Sequence, residues 1–162
     1  MLAAAERAGT PVDRHPAAKD ATDLDLALDV AIARTGRALA RLVVVTGAGD
    51  RFDHALGVAL SLAAPGRPPV PTEAFVGPAH LWVVRGEARL AGRPGDLVSL
   101  LPVHGPVQGV RTEGLAYPLD DEDLSSGTTR GLSNVWTGEV ATVLVRSGVL
   151  LAVAPGVAAP RG

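Results

Sequence analysis

The chain contains no cysteine, which excludes disulfides, thiolate metal sites and a cysteine nucleophile. Lysine is almost missing too: of 15 basic residues only Lys19 is a lysine, and the rest are arginines. Aromatic residues make up only 3% of the chain, so each of them is a marked position. No apolar run approaches the length of a membrane span. The opening MLAAAERAGTP lacks the basic flank and long apolar stretch of a secretory signal. The net charge is −2 and no basic stripe is visible, which speaks against a nucleic-acid partner. No Walker pattern is present, so an ordinary P-loop nucleotide fold is not expected. His15, His80 and His104 have no spacing that suggests zinc. The expectation from these absences is a soluble, cytoplasmic protein that uses neither membrane nor nucleic acid.

What is present points to a folded chain: 47% of its 162 residues are hydrophobic, enough for one good core or two small ones. The segment 41–60, RLVVVTGAGDRFDHALGVAL, is the organising stretch. Residues 42–45 form an apolar, β-branched run that reads as a buried strand of a parallel sheet. Gly47 and Gly49 then allow a sharp turn, a charged cluster follows, and residues 55–62 resume a helix-forming apolar run. Ligands of open α/β sheets sit where such strands end. Upstream, residues 2–8 suggest a helical turn or two and 12–15 a short strand. Thr22 is a plausible N-cap for a helix reaching Gly36, with Asp23 and Asp25 in the first turn, where the helix dipole favours negative charge. Four prolines within 65–71 end the helical pattern. Beyond them, short β-type runs recur at 79–84, 87–90, 96–101, 107–112, 140–146 and 148–154. The expected fold class is α/β plus all-β: a truncated doubly wound segment over 1–64, a linker over 65–71 and a β-sandwich over 72–162.

Two acidic clusters could carry chemistry, Lys19-Asp20-Ala21-Thr22-Asp23 before a helix and Asp50-Arg51-Phe52-Asp53-His54 after a strand. Carboxylates and a threonine hydroxyl are hard oxygen ligands that suit Mg²⁺ holding phosphates. Lys19 and Arg51 could neutralise phosphate charge, Arg51 as a fork. Helix capping is an equally good reading of Asp23 and Asp53. In the β part, Tyr117-Pro118-Leu119 and Gly131-Leu132-Ser133-Asn134-Val135-Trp136 are the unusual strings. Ser133 and Asn134 offer donors and acceptors, and Trp136 or Tyr117 offers a flat face. A turn with a buried aromatic is the plainer alternative.

Together these strings resemble the thiamine pyrophosphokinase (thiamine diphosphokinase) family. Its KDxTD-type loop is similar to residues 19–23, its GGRxDH-type loop to 49–54, its YPL segment to 117–119 and its GxSN segment to 131–134. Four matches in order are far more specific than any one of them. The resemblance implies an α/β domain joined to a β-sandwich, working as a homodimer with sites at the subunit interface. It implies transfer of pyrophosphate from ATP to thiamine, with Mg²⁺, to give thiamine diphosphate and AMP. By match to the motifs, Asp23 would hold Mg²⁺, Lys19, Asp20 and Thr22 would line the ATP phosphates, and Arg51 and Asp53 would sit where phosphate meets thiamine. Asp23, Arg51 and Asp53 are thus the expected catalytic residues. Ser133 and Asn134, from the other subunit, would contact thiamine.

The chain departs from the pattern in four places. The second glycine of GGR is Asp50. The asparagine often found after DHxL is replaced near Val58. No aromatic stands in 149–152, so Trp136 is the expected substitute platform for thiamine. The GDxDS-type loop, with two metal-binding aspartates, belongs ahead of Met1. Three readings follow: a thiamine diphosphokinase whose natural chain is longer; a shortened, inactive relative that binds thiamine compounds or dimerises through its β part; or, without the resemblance, a small phosphate-ligand module with a β-sandwich. Weak or no catalysis is expected of these 162 residues.

Overall fold

The computed structural model describes residues 2–9, 12, 14, 20–47 and 51–156, in two compact units, 1–36 and 37–162. The first unit contains helices α1 (Leu2–Arg7) and α2 (Asp23–Thr35). Thr22 caps α2 as its sequence suggests: its Oγ1 accepts the Asp25 N–H at 3.1 Å and donates to Asp25 Oδ2 at 2.7 Å. Gly36 ends the helix at φ +52°, its N–H donating to the Ile32 carbonyl, a conformation that costs glycine little. The strand expected at 12–15 falls largely outside the described residues.

The second unit opens with β1 (Leu42–Thr46), α3 (Phe52–Leu62) and β2 (Thr72–Val76). β1 and β2 are parallel neighbours, Leu42 opposite Thr72 and Thr46 opposite Val76, so strand, helix and strand form a βαβ unit. Seven strands follow: β3 (Ala79–Val84), β4 (Glu87–Ala91), β5 (Leu97–Glu113), β6 (Glu122–Leu124), β7 (Asn134–Val135), β8 (Val140–Leu144) and β9 (Ser147–Ala154). The order along the sheet is β1-β2-β3-β9-β5-β8-β4, with β6 and β7 also pairing β5. The sheet is therefore continuous across residues 65–71. Over 72–162 the strands form one connected mixed sheet, in which β3 pairs β2 on one side and β9 on the other.

That sheet must curl. Only Arg85 and Gly86 separate β3 from β4, yet the two strands are third and seventh in the order. The Val145 N–H donates to the Gly86 carbonyl at 2.9 Å and fastens the returning edge to that turn. Side chains alternate across each strand, so one face of the curl closes on itself as a core. Trp82 and Val84 of β3 stand opposite Ala152 and Leu150 of β9. Leu100 of β5 is opposite Ala152, and Ala141 of β8 is opposite Leu90 of β4. All belong to one buried cluster with Val98, Val107, Val110, Val143 and Trp136.

β5 merges two segments that read as separate strands in the sequence. The break expected between them is an irregularity inside one strand: pairing with β9 shifts between Val103 and Gln108, and His104 and Gly105 take φ of +59° and +134°. Such a bulge bends a strand without ending it. The bend lets β5 pair β9 at one end and β8 at the other. His104 Nε2 also reaches the Leu60 carbonyl at 2.9 Å, and Arg85 Nη2 donates to the Ala64 carbonyl at 2.8 Å, tying the end of α3 to the sheet.

Candidate functional site

The motif after β1 begins α3 earlier than the apolar run suggests. Arg51 is the N-cap and Phe52, Asp53 and His54 form the first turn. Arg51 has no side-chain capping bond. Its guanidinium instead grips Asp53 as a fork, Nε to Oδ1 at 3.0 Å and Nη2 to Oδ2 at 2.5 Å. Arg51 beside it holds the Asp53 carboxyl below the usual carboxylate range. Both side chains are exposed, so the fork is open to a competing anion such as phosphate. It sits at the carboxyl end of β1, where the Thr46 carbonyl accepts the Gly77 N–H at 3.0 Å. Gly49 and Asp50 lie outside the described residues.

In the first unit, Asp20 is exposed and Asp23 opens α2 behind the Thr22 cap. Capping engages the Thr22 hydroxyl. Lys19 lies outside the described residues. Among the described residues, no three His, Asp or Glu side chains converge as a metal site.

The two motifs of the β part do converge. Tyr117, Thr128, Thr129, Arg130, Gly131, Leu132 and Asn134 line one cavity of about 350 Å³. Asn134 knits them together. Its Oδ1 accepts the N–H groups of Tyr117 at 3.0 Å and Val135 at 2.9 Å, and its Nδ2 donates to the Tyr117 carbonyl at 2.7 Å. Leu119 is pinned separately: its N–H donates to Thr112 Oγ1 at 2.9 Å, and its carbonyl accepts the Thr112 N–H at 2.9 Å. Opposite, the Gly131 carbonyl accepts the Leu100 N–H at 2.9 Å. Gly131 has φ +102°, and a Cβ there would meet the Leu100 carbonyl oxygen at 2.8 Å, so glycine is required for this close approach.

Three of the expected contacts need qualification. Trp136 is 1% exposed; its ring lies 6.2 Å from that of Trp82, and its Nε1–H donates to the Leu90 carbonyl at 3.3 Å. A Cβ on Gly92 would lie 2.4 Å from that ring. With one face against Gly92 and both within the core, Trp136 has no surface to offer a ligand, which corrects its expected role as a platform. Tyr117, at 59% exposure, is the aromatic that borders the cavity. Ser133 is exposed but is not among the lining residues. Its φ of +53° is uncommon for a residue with a Cβ. Asn134 lines the cavity, yet most of its hydrogen-bonding capacity is used on backbone. Thr128, Thr129 and Arg130 also line the cavity but belong to neither motif, and no local pattern marks them.

A larger cavity, about 500 Å³, lies at the amino end of β1 and contains Arg41, Glu73, Trp82 and Arg85 among its lining residues. It holds none of the motif residues, so size does not make it the better candidate. Glu73 is buried there between Arg41, with which it forms an ion pair, and His80, whose Nε2 lies 2.7 Å from Oε2. Burial pushes the His80 imidazole below its ordinary value, and the Arg41 charge adds to this. The neutral ring then donates Nε2–H to Glu73. An unfolded chain, with an imidazole near the ordinary ~6.5, binds the proton more readily than the folded one. Stability should therefore hold above about pH 6.5 and decline as pH falls below it. Thermal unfolding from pH 7 to 5 checks this: wild type should lose more than His80→Gln, and equal losses would take His80 out of the acid response.

Known proteins provide the comparison. The profile described as thiamin pyrophosphokinase, vitamin B1 binding domain, matches residues 87–150, a span that includes both cavity motifs. Thiamine pyrophosphokinase from Bacillus subtilis superposes with a TM-score of 0.74 at 24% identity, over 87% of this chain and 66% of that one. Thiamin pyrophosphokinase from Geobacillus thermodenitrificans gives 0.68 at 28% identity, over 94% and 69%. Thiamin pyrophosphokinase from Candida albicans gives 0.53 at 16% identity, over 70% and 43%. The chain thus spans about two thirds of the length of the Bacillus subtilis protein. No match is found among curated protein sequences. Among the described residues, no helix is long and apolar enough to cross a membrane.

Proposed function

We propose, from the premise that this is a thiamine pyrophosphokinase-like protein, that its β part binds thiamine in the cavity between Tyr117 and residues 128–134. The complete protein would be a thiamine diphosphokinase. The observation that carries the reading is the convergence of the 117–119 and 131–134 segments on one cavity, joined by Asn134. Its volume of about 350 Å³ is in the range of small-molecule sites. Tyr117 offers a π face that attracts a cationic ring, and thiamine carries a positive thiazolium. The partly exposed rim at Tyr117 and Leu132 suits closure by a second subunit, in keeping with a homodimer.

In the reaction proposed, the hydroxyethyl oxygen of thiamine attacks the β-phosphorus of ATP, and AMP leaves with the bond electrons. Such a transfer depends on positioning and charge neutralisation. Arg51 would exchange Asp53 for a phosphate oxygen, and Asp53 would stand where phosphate meets thiamine. Lys19, Asp20 and Thr22 would border the nucleotide phosphates, and Asp23 would be one carboxylate toward Mg²⁺. When bound, the ion supplies charge neutralisation on the phosphates. No GDxDS-type string stands in these 162 residues, and the reading for them is the second one, binding without efficient turnover.

Calorimetry with thiamine, alongside AMP release from ATP and Mg²⁺, tests both halves. Thiamine should bind while thiamine-dependent AMP release stays weak or undetectable. Tyr117→Ala should weaken binding by roughly three- to tenfold, the worth of one cation–π contact at a partly exposed site. Full turnover by this chain would refute the binding-only reading, and no thiamine binding would refute the assignment of the cavity.

A further inference from the structure

The YPL segment runs directly into four consecutive acids, Asp120-Asp121-Glu122-Asp123. A run of like charges ordinarily repels itself into solvent, but here every carboxylate has a partner. Asp120 pairs Arg111 at 3.0 Å, Asp121 pairs Arg146, and Asp123 Oδ1 accepts the Gly109 N–H at 2.8 Å. Gly109 and Arg111 belong to β5, and Arg146 precedes β9, so these three ties fasten the segment to the sheet.

The fourth tie is of another kind. Glu122 accepts from Arg130 as a fork, Nη2 to Oε1 at 2.8 Å and Nε to Oε2 at 2.9 Å. Arg130 Nη2 also reaches the Pro118 carbonyl at 3.4 Å, inside the YPL segment. Arg130 itself stands on the opposite wall of the cavity, where its N–H donates to Thr128 Oγ1 at 3.1 Å. One guanidinium therefore links the wall that carries Tyr117 to the wall formed by 128–132.

We propose that Arg130 and Glu122 form a clamp that sets the width of this cavity, which makes Arg130 a positioning residue for the molecule held there. The inference rests on the thiamine reading of the cavity. The pair is part-exposed, with side-chain exposures of 47% and 37%, and such pairs add little to global stability. A fork nevertheless fixes geometry in two directions, so its effect falls on the spacing of the walls rather than on folding. It also cancels charge, since a lone guanidinium beside a thiazolium would repel it. A clamp and a charge effect differ in sign: losing either partner opens a clamp, whereas losing the arginine alone would improve the field for a cation.

Thiamine calorimetry on the full chain, with wild type, Arg130→Gln, Glu122→Gln and the exchanged pair Glu122→Arg with Arg130→Glu, separates these. Both single variants should bind roughly tenfold more weakly and the exchanged pair should recover to within about threefold, as coupled contact pairs do. Unfolding midpoints should stay close to wild type. Tighter binding by Arg130→Gln, unchanged binding by both single variants, or no recovery in the exchanged pair would each overturn the clamp. Failure of wild type itself to bind would remove the thiamine reading and the inference with it, a result distinct from failure of the variants alone.

Discussion

Trp136→Ala should cost about 4 kcal/mol of stability, the usual penalty for emptying a buried aromatic site. Domains of this kind have a net stability of only about 5–15 kcal/mol, so the variant should be close to unfolding at ordinary temperature. Trp136 is among the largest fully buried side chains, with the Gly92 backbone against its ring and Trp82 beside it. Neighbours tied into β3 and β4, Trp82 and Leu90, cannot collapse far into the space it leaves. Trp136→Phe should be milder, losing indole volume and the bond to the Leu90 carbonyl. Urea unfolding measures both. A Trp136→Ala protein with wild-type stability that has lost thiamine would return the side chain to the ligand site and contradict its burial.

Asn134→Ala should cost about 3 kcal/mol and also weaken the proposed thiamine binding at least as much as Tyr117→Ala does. The side chain satisfies the N–H and carbonyl of Tyr117 and the N–H of Val135, and each buried group left without a partner costs about 1–3 kcal/mol. Water reaching the vacated space lowers the total. Release of Tyr117 also removes the aromatic wall of the cavity. Asn134→Asp keeps the two acceptor bonds but sets a carboxylate against the Tyr117 carbonyl, so it should also bind more weakly. Urea unfolding combined with hydrogen exchange at the Tyr117 and Val135 amides checks this. Weakened binding with stability and exchange unchanged would make Asn134 a ligand contact only.

Local chemistry is what the sequence expressed well. The Thr22 cap, the glycine end of α2, the strand type of β1 and the turn-separated strands after residue 72 each depend on neighbours a few positions away; the burial expected of β1 does not hold, since Val43 and Val45 are exposed. So does the fork between Arg51 and Asp53, two residues apart on one helix start. The YPL and GxSN strings were legible as unusual, and their order along the chain pointed to one family. What they do to each other was not legible, because Asn134 meets Tyr117 across 17 positions. β2 went unread: TEAFV is short, follows a run of prolines and is buried at every position but Phe75, so it shows no clean alternation.

The residues of the chain by themselves determined the elements, their caps and the set of polar groups from which a thiamine site is proposed. Only the tertiary structure decided which aromatic faces the cavity. Trp136 and Tyr117 are equally suitable flat faces in the sequence, but the curl of the sheet places one against Gly92 in the core and leaves the other on the rim. It likewise turned Asp120-Asp121-Glu122-Asp123 from a solvated run into four separate ties. Each arginine partner comes from a different part of the chain, and strand register, which no local spacing encodes, is what brings them together.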